Sequence, residues 1–76
     1  MVQLYPNPVY NELSVISEFE MRSINVYNIT GQKVLTETGI NKRAHFISTE
    51  LLSDGIYVIS VHGVNGEQAI HKIIKK

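Results

Sequence analysis

Apolar and polar residues alternate along this chain in short runs, and turn-forming residues interrupt the runs about every ten positions. That spacing predicts an all-β sandwich or barrel. Residues 2–5 read as a short first strand, halted by Pro6-Asn7-Pro8. Two prolines so close remove two amide donors, so no regular ladder crosses them. Residues 12–16 alternate with Leu13 and Val15 on one side, and residues 22–27 do the same with Ile24 and Val26. Asn28-Ile29-Thr30-Gly31 fits a type I turn, with Asn28 in the first position and Gly31 as the left-handed residue of a bulged hairpin. Residues 32–38 return as its partner strand, with Val34 as the best core candidate. After a loop at 39–42, residues 43–48 predict a strand that turns Ala44 and Phe46 to one face and His45 to solvent.

The strongest signal is Leu51-Leu52-Ser53-Asp54-Gly55-Ile56-Tyr57-Val58-Ile59-Ser60-Val61. Residues 49–54 are the only segment with helical character: Thr49 can cap a single turn whose Leu51 or Leu52 plugs the end of the core. Gly55 ends that turn. Residues 56–62 then form a strand with Tyr57, Ile59 and Val61 on one side and Ile56 and Val58 on the other. Apolar on both faces, it belongs at the centre of a sheet or beneath a neighbour. Asn65-Gly66 is a favoured pair for a two-residue type I′ hairpin, which would place residue 62 opposite about residue 69. Residues 67–74 pair back antiparallel. The sum is about seven short antiparallel strands and no substantial helix, an immunoglobulin-like β-sandwich without the disulfide and tryptophan of antibody domains. A small open barrel is the alternative.

Composition narrows what such a fold does. Seventy-six residues make a single domain, 1–76, and the hydrophobic share of 43% suffices for one thin core. Little interior is expected for a catalytic pocket of about 300 Å³ or more. A formal net charge of zero provides no general field for nucleic acid, and Tyr5, Tyr10, Tyr27 and Tyr57 are not interleaved with basic residues. There is no cysteine, so neither a disulfide framework nor a thiolate site forms. His45, His62 and His71 are the only plausible metal ligands or general bases. A zinc site needs three or four ligands, and no carboxylate stands ready to complete one, so no metal and no cofactor are expected. No serine sits in a strained Gly-x-Ser-x-Gly elbow, and an enzyme is not expected. Asn28-Ile29-Thr30 matches the N-glycosylation pattern, but the turn already explains Asn28. The chain carries no apolar run of about 20 residues, and its first residues lack the basic and apolar regions of an export signal. If the domain is exported, its export signal is expected to lie elsewhere, in a longer protein of which this sequence is a fragment.

Charge is unevenly placed. Glu12, Glu18 and Glu20 fall in the first third, whereas Lys72, Lys75 and Lys76 are the only charges after Glu67. Lysines on an edge strand discourage indiscriminate pairing, yet the same edge can join one chosen partner, including a second copy in an edge-strand homodimer.

Four blocks occur in order along nearly the whole chain: Tyr5-Pro6-Asn7-Pro8 with Leu13 and Val15 following; residues 24–34, which contain Asn28 and Gly31; residues 52–61; and Lys72-Ile73-Ile74-Lys75. In this the chain resembles the type A C-terminal sorting domains of type IX secretion cargo from the Bacteroidota. Asn28 stands where the family often has aspartate, and Thr30 where a larger apolar residue is common. The resemblance implies an immunoglobulin-like sandwich at the carboxy terminus of a larger cargo. It implies as partners the outer-membrane translocon, a shuttle protein, a sortase-like peptidase that removes the domain, and the cargo fused before it. The route runs through the periplasm to the cell surface or beyond. Gly55, Tyr57, Lys72, Ile73, Ile74, Lys75 and Lys76 are then the expected recognition residues. Tyr5, Pro6, Asn7, Pro8, Asn28, Gly31, Asn65 and Gly66 are expected to be mainly structural. The competing reading is a non-catalytic adhesion or carbohydrate-binding module, for which Tyr10 and Tyr27 are the candidate rings. A pure spacer is the third.

Overall fold

The computed structural model describes residues 1–76 as six strands: β1 (Val2–Tyr5), β2 (Glu12–Tyr27), β3 (Lys33–Glu37), β4 (Lys42–Ser48), β5 (Gly55–Gly63) and β6 (Gln68–Lys75). Six replace the expected seven because the segments 12–16 and 22–27 are one 16-residue strand. Through its first half β2 pairs with β1 and β4, and through its second half with β3 and β5. Its registers shift between Ile16 and Met21 on the β4 side and between Met21 and Ser23 on the β5 side. Across that irregularity the buried positions change parity, from Leu13 and Val15 to Ile24 and Val26. One strand thus turns the same core-facing stripe into two layers. Phe19 lies at the bend against Gly63, where an added Cβ would sit 2.7 Å from its ring.

The sheet therefore curls into a sandwich-like shape, with β1, β4 and the start of β2 in one layer and β3, β5, β6 and the end of β2 in the other. Antiparallel neighbours opposite each other share a face, so inward Leu13 and Val15 carry Ile47 and His45 inward with them. This reverses the expectation for β4. Ile47 is the core residue, His45 is half-buried and Phe46 is 61% exposed. A similar shift corrects β3, where Val26 lies opposite Leu35 and Tyr27 opposite Lys33. Val34 is the extra residue of that irregular step and faces solvent, while Leu35 packs against the core. At the β4–β5 connection the Leu52 N–H donates to the Thr49 carbonyl at 3.0 Å, and it is Leu52, not Leu51, that reaches the core.

The two hairpin turns share one design. In the first, Asn28 accepts from the Gly31 N–H at 3.0 Å and donates its own N–H to the Gln32 carbonyl at 2.9 Å, and Gly31 has φ 88°. Asn28 Oδ1 also accepts from the Thr30 N–H, the Thr30 hydroxyl and the Gln32 N–H. This is the bulged type I turn the sequence predicts. The second departs from prediction: Gly66, at φ 90°, donates to the Gly63 carbonyl, and the Gly63 N–H donates to the Glu67 carbonyl. The loop thus has three residues, Val64, Asn65 and Gly66, rather than two. His62 consequently pairs with Gln68 and His71 with Ile59, which puts these two histidines on opposite faces.

Candidate functional site

Alternation along β6 sorts the terminal residues into two sets. Ile73 is wholly buried in the core, and Lys75 is buried beside it, with its ammonium Nζ donating to the Lys76 carbonyl at 3.2 Å. Lys72, Ile74 and Lys76 point outward. Tyr57, opposite Ile73 on β5, is buried too, and its hydroxyl donates to the Ser53 carbonyl at 2.7 Å. Gly55 is exposed at the start of β5 with φ 153°, a conformation that side-chain-bearing residues rarely adopt. Of the seven expected recognition residues, Gly55, Lys72, Ile74 and Lys76 are thus available to a partner, and Tyr57, Ile73 and Lys75 hold the strand from within.

The outer edge of β6 is not free to its end. After β1 the chain crosses from one layer to the other through Tyr5-Pro6-Asn7-Pro8, with both prolyl bonds cis, and Val9 then forms a parallel bridge to Lys75. The Val9 N–H donates to the Ile74 carbonyl at 2.7 Å, and the Lys76 N–H donates to the Val9 carbonyl at 2.9 Å. Asn7 Oδ1 accepts from the Ile74 N–H at 3.0 Å. The Val9 side chain is fully buried. Behind it, Thr49 anchors the strap by donating its hydroxyl to the Tyr10 carbonyl and its N–H to the Asn11 carbonyl. Only residues 68–72 keep an unpartnered outer edge. The expected lysine-decorated edge therefore stops at Lys72. Sequence reasoning missed this contact, whose partners Asn7 and Ile74 stand 67 positions apart. A lone apolar Val9 between a proline and a tyrosine carries no periodic signal.

The outer face of β5 and β6 is open. Ile56 lies opposite Ile74, Val58 opposite Lys72 and Ser60 opposite Ile70. Ile56, Ile70 and Ile74 remain 46%, 62% and 42% exposed. Neither strand contains an Asp or Glu. On the other layer Tyr5 and Phe46 flank Ser14 from either side, so these two rings share an exposed face. A groove of about 520 Å³ opens between β3 and the 49–53 turn, lined mainly by Val34, Leu35, Leu51, Leu52 and Tyr57. It is a surface groove outside the core, with Leu51 and Val34 among its exposed walls. The only titratable group lining it is the Tyr57 hydroxyl, already engaged by Ser53. His45 Nε2 meets Glu37 Oε1 at 2.8 Å, joining β4 to β3. No three His, Cys, Asp or Glu side chains gather to hold a metal ion.

The comparisons with known proteins agree with this geometry. The crystal structure of CopC from Methylosinus trichosporium OB3b superposes with a TM-score of 0.54 at 15% identity, covering 99% of this chain and 91% of that one. At that identity the likeness is one of fold. No curated protein matches the sequence. Residues 3–76 match the family described as secretion system C-terminal sorting domain, a span that takes in the opening strap, both bulged turns and the terminal strand. The chain belongs to that family, the C-terminal sorting signals of type IX secretion.

Proposed function

We propose that this chain is the label by which the type IX machinery recognises a cargo fused before it and carries it across the outer membrane. At the cell surface a sortase-like peptidase removes the label, and the cargo is anchored or released. Family membership over residues 3–76 is the observation that carries the reading. The exposed Gly55, Lys72, Ile74 and Lys76 make the contacts, while Tyr57, Ile73 and Lys75 fix the strand that presents them. The domain acts as a substrate of that machinery, bound by the translocon and the shuttle protein and cut by the peptidase. Its own side chains need perform no chemistry.

The test is a reporter fused ahead of residue 1 in a cell that has this machinery. Reporter carrying the intact chain reaches the surface, and deletion of residues 72–76 leaves it in the periplasm. Because that deletion also removes Ile73 from the core, it is paired with Lys72→Ala/Lys76→Ala, which keeps the core and the Val9 bonds. The double variant lowers delivery as well. Surface delivery of both at the intact level refutes the assignment.

A further inference from the structure

A terminal strand can offer a partner its backbone edge or its face, and in β6 these two are treated differently. At the carboxy-terminal end the edge is satisfied from within, since Asn7 and Val9 take up the outward amides and carbonyl of Ile74 and Lys76. Strand addition there would first have to dislodge the wholly buried Val9. The face has no such cover. Ile56 and Ile74 sit side by side across the ladder, and Lys72 stands between Ile70 and Ile74. Lys72 has no ion-pair partner in the chain.

We infer that the secretion machinery docks on the outer face of β5 and β6, through an apolar surface that carries a carboxylate, and not by adding a strand along residues 74–76. This rests on the sorting function proposed above and specifies its contact surface. Three β-branched side chains left this exposed on adjacent strands form an apolar patch. A carboxylate placed over Lys72 supplies the charge that β5 and β6 lack, and such complementarity selects among partners. A second copy of this face is a poorer occupant. Face to face it would bring lysine to lysine with no acid between them. Ile70, which lies in none of the recognition blocks, becomes a contact residue. The Asn7-Val9 strap becomes the device that holds Ile74 in that face.

The experiment uses the same reporter fusion. Threonine keeps the β-branching a strand favours, so Ile56→Thr/Ile70→Thr tests the patch with the fold retained, as checked by thermal melting. Surface reporter falls at least about tenfold for this variant and for Lys72→Glu. Phe46→Thr, on the opposite layer, stays within about twofold of the intact chain. Export of Ile56→Thr/Ile70→Thr and Lys72→Glu at the intact level overturns the inference. So does an equal loss with Phe46→Thr, or light scattering that shows a dimer abolished by Ile70→Thr while export is unchanged. Retention of the intact fusion would instead overturn the sorting reading itself.

Discussion

Replacing Asn7 by alanine is the sharpest probe of the strap. Its side-chain oxygen is the acceptor for the Ile74 amide at 3.0 Å, and no other acceptor faces that N–H. Loss of one such bond at an exposed site costs about 1 kcal/mol net. For a domain of this size that lowers Tm by about 4–8 °C. Amides inside the β5–β6 ladder, such as that of Ile59, exchange only on large-scale opening, so their protection falls together by about fivefold. The Ile74 amide behaves differently. Left with no acceptor, it loses its protection outright and exchanges faster than the ladder change alone accounts for. Asn7→Asp keeps an oxygen in place and keeps Ile74 protected. Hydrogen exchange read residue by residue by NMR, with thermal melts of the same samples, makes the comparison. If Ile74 in Asn7→Ala stays as protected relative to Ile59 as in the parent, Asn7 does not hold the strand and the strap argument fails.

Two further substitutions test the turn and the sorting of the terminal residues. Asn28→Ala removes the acceptor of three hydrogen bonds and lowers unfolding free energy in urea by about 1–2 kcal/mol, whereas Asn28→Asp stays within about 0.5 kcal/mol of the parent because the oxygen remains. Ile73→Ala, at a wholly buried site, costs about 2–5 kcal/mol, while its outward neighbour Ile74→Ala costs less than about 1 kcal/mol; equal costs would mean that the two faces of β6 are misassigned.

Much of the fold was legible because the rules that set it are local. The Asn28–Gly31 turn needs only an Asx side chain and a glycine at a fixed offset, and both are present. The alternation in β5 is strong enough to place Tyr57, Ile59 and Val61 together without the structure. The failures share one physical origin, a change of parity that composition does not announce. In β2 the core stripe moves from odd to even positions within a single strand. In β3 an extra residue puts Leu35 inward. In β4 Ile47 wins the core from Phe46 because its partner across the ladder, Leu13, already faces in. At Asn65-Gly66 one more loop residue than the favoured hairpin moves every pairing by one.

The site was legible as a set of blocks and not as an arrangement. Tyr5-Pro6-Asn7-Pro8 and Lys72-Ile73-Ile74-Lys75 stand out separately, yet nothing local says that the first closes the edge of the second. Backbone groups take part in that contact as much as side chains do, so only the register of two distant segments reveals it. The consequence reaches beyond accounting for the motif. A terminal strand with an open edge would pair with any exposed strand it met, including another copy of itself, during passage through a crowded compartment. With Ile74 and Lys76 bonded to Asn7 and Val9 on the outer side, the open edge of β6 is confined to the short stretch at 68–72, where Lys72 marks its limit. Recognition that depends on side chains of the face can then be specific, because a face is chosen by shape and charge whereas an edge accepts nearly any extended backbone. The opening segment thus closes the edge of β6 at its end and leaves the face beside it, with Ile56, Ile70 and Ile74, exposed.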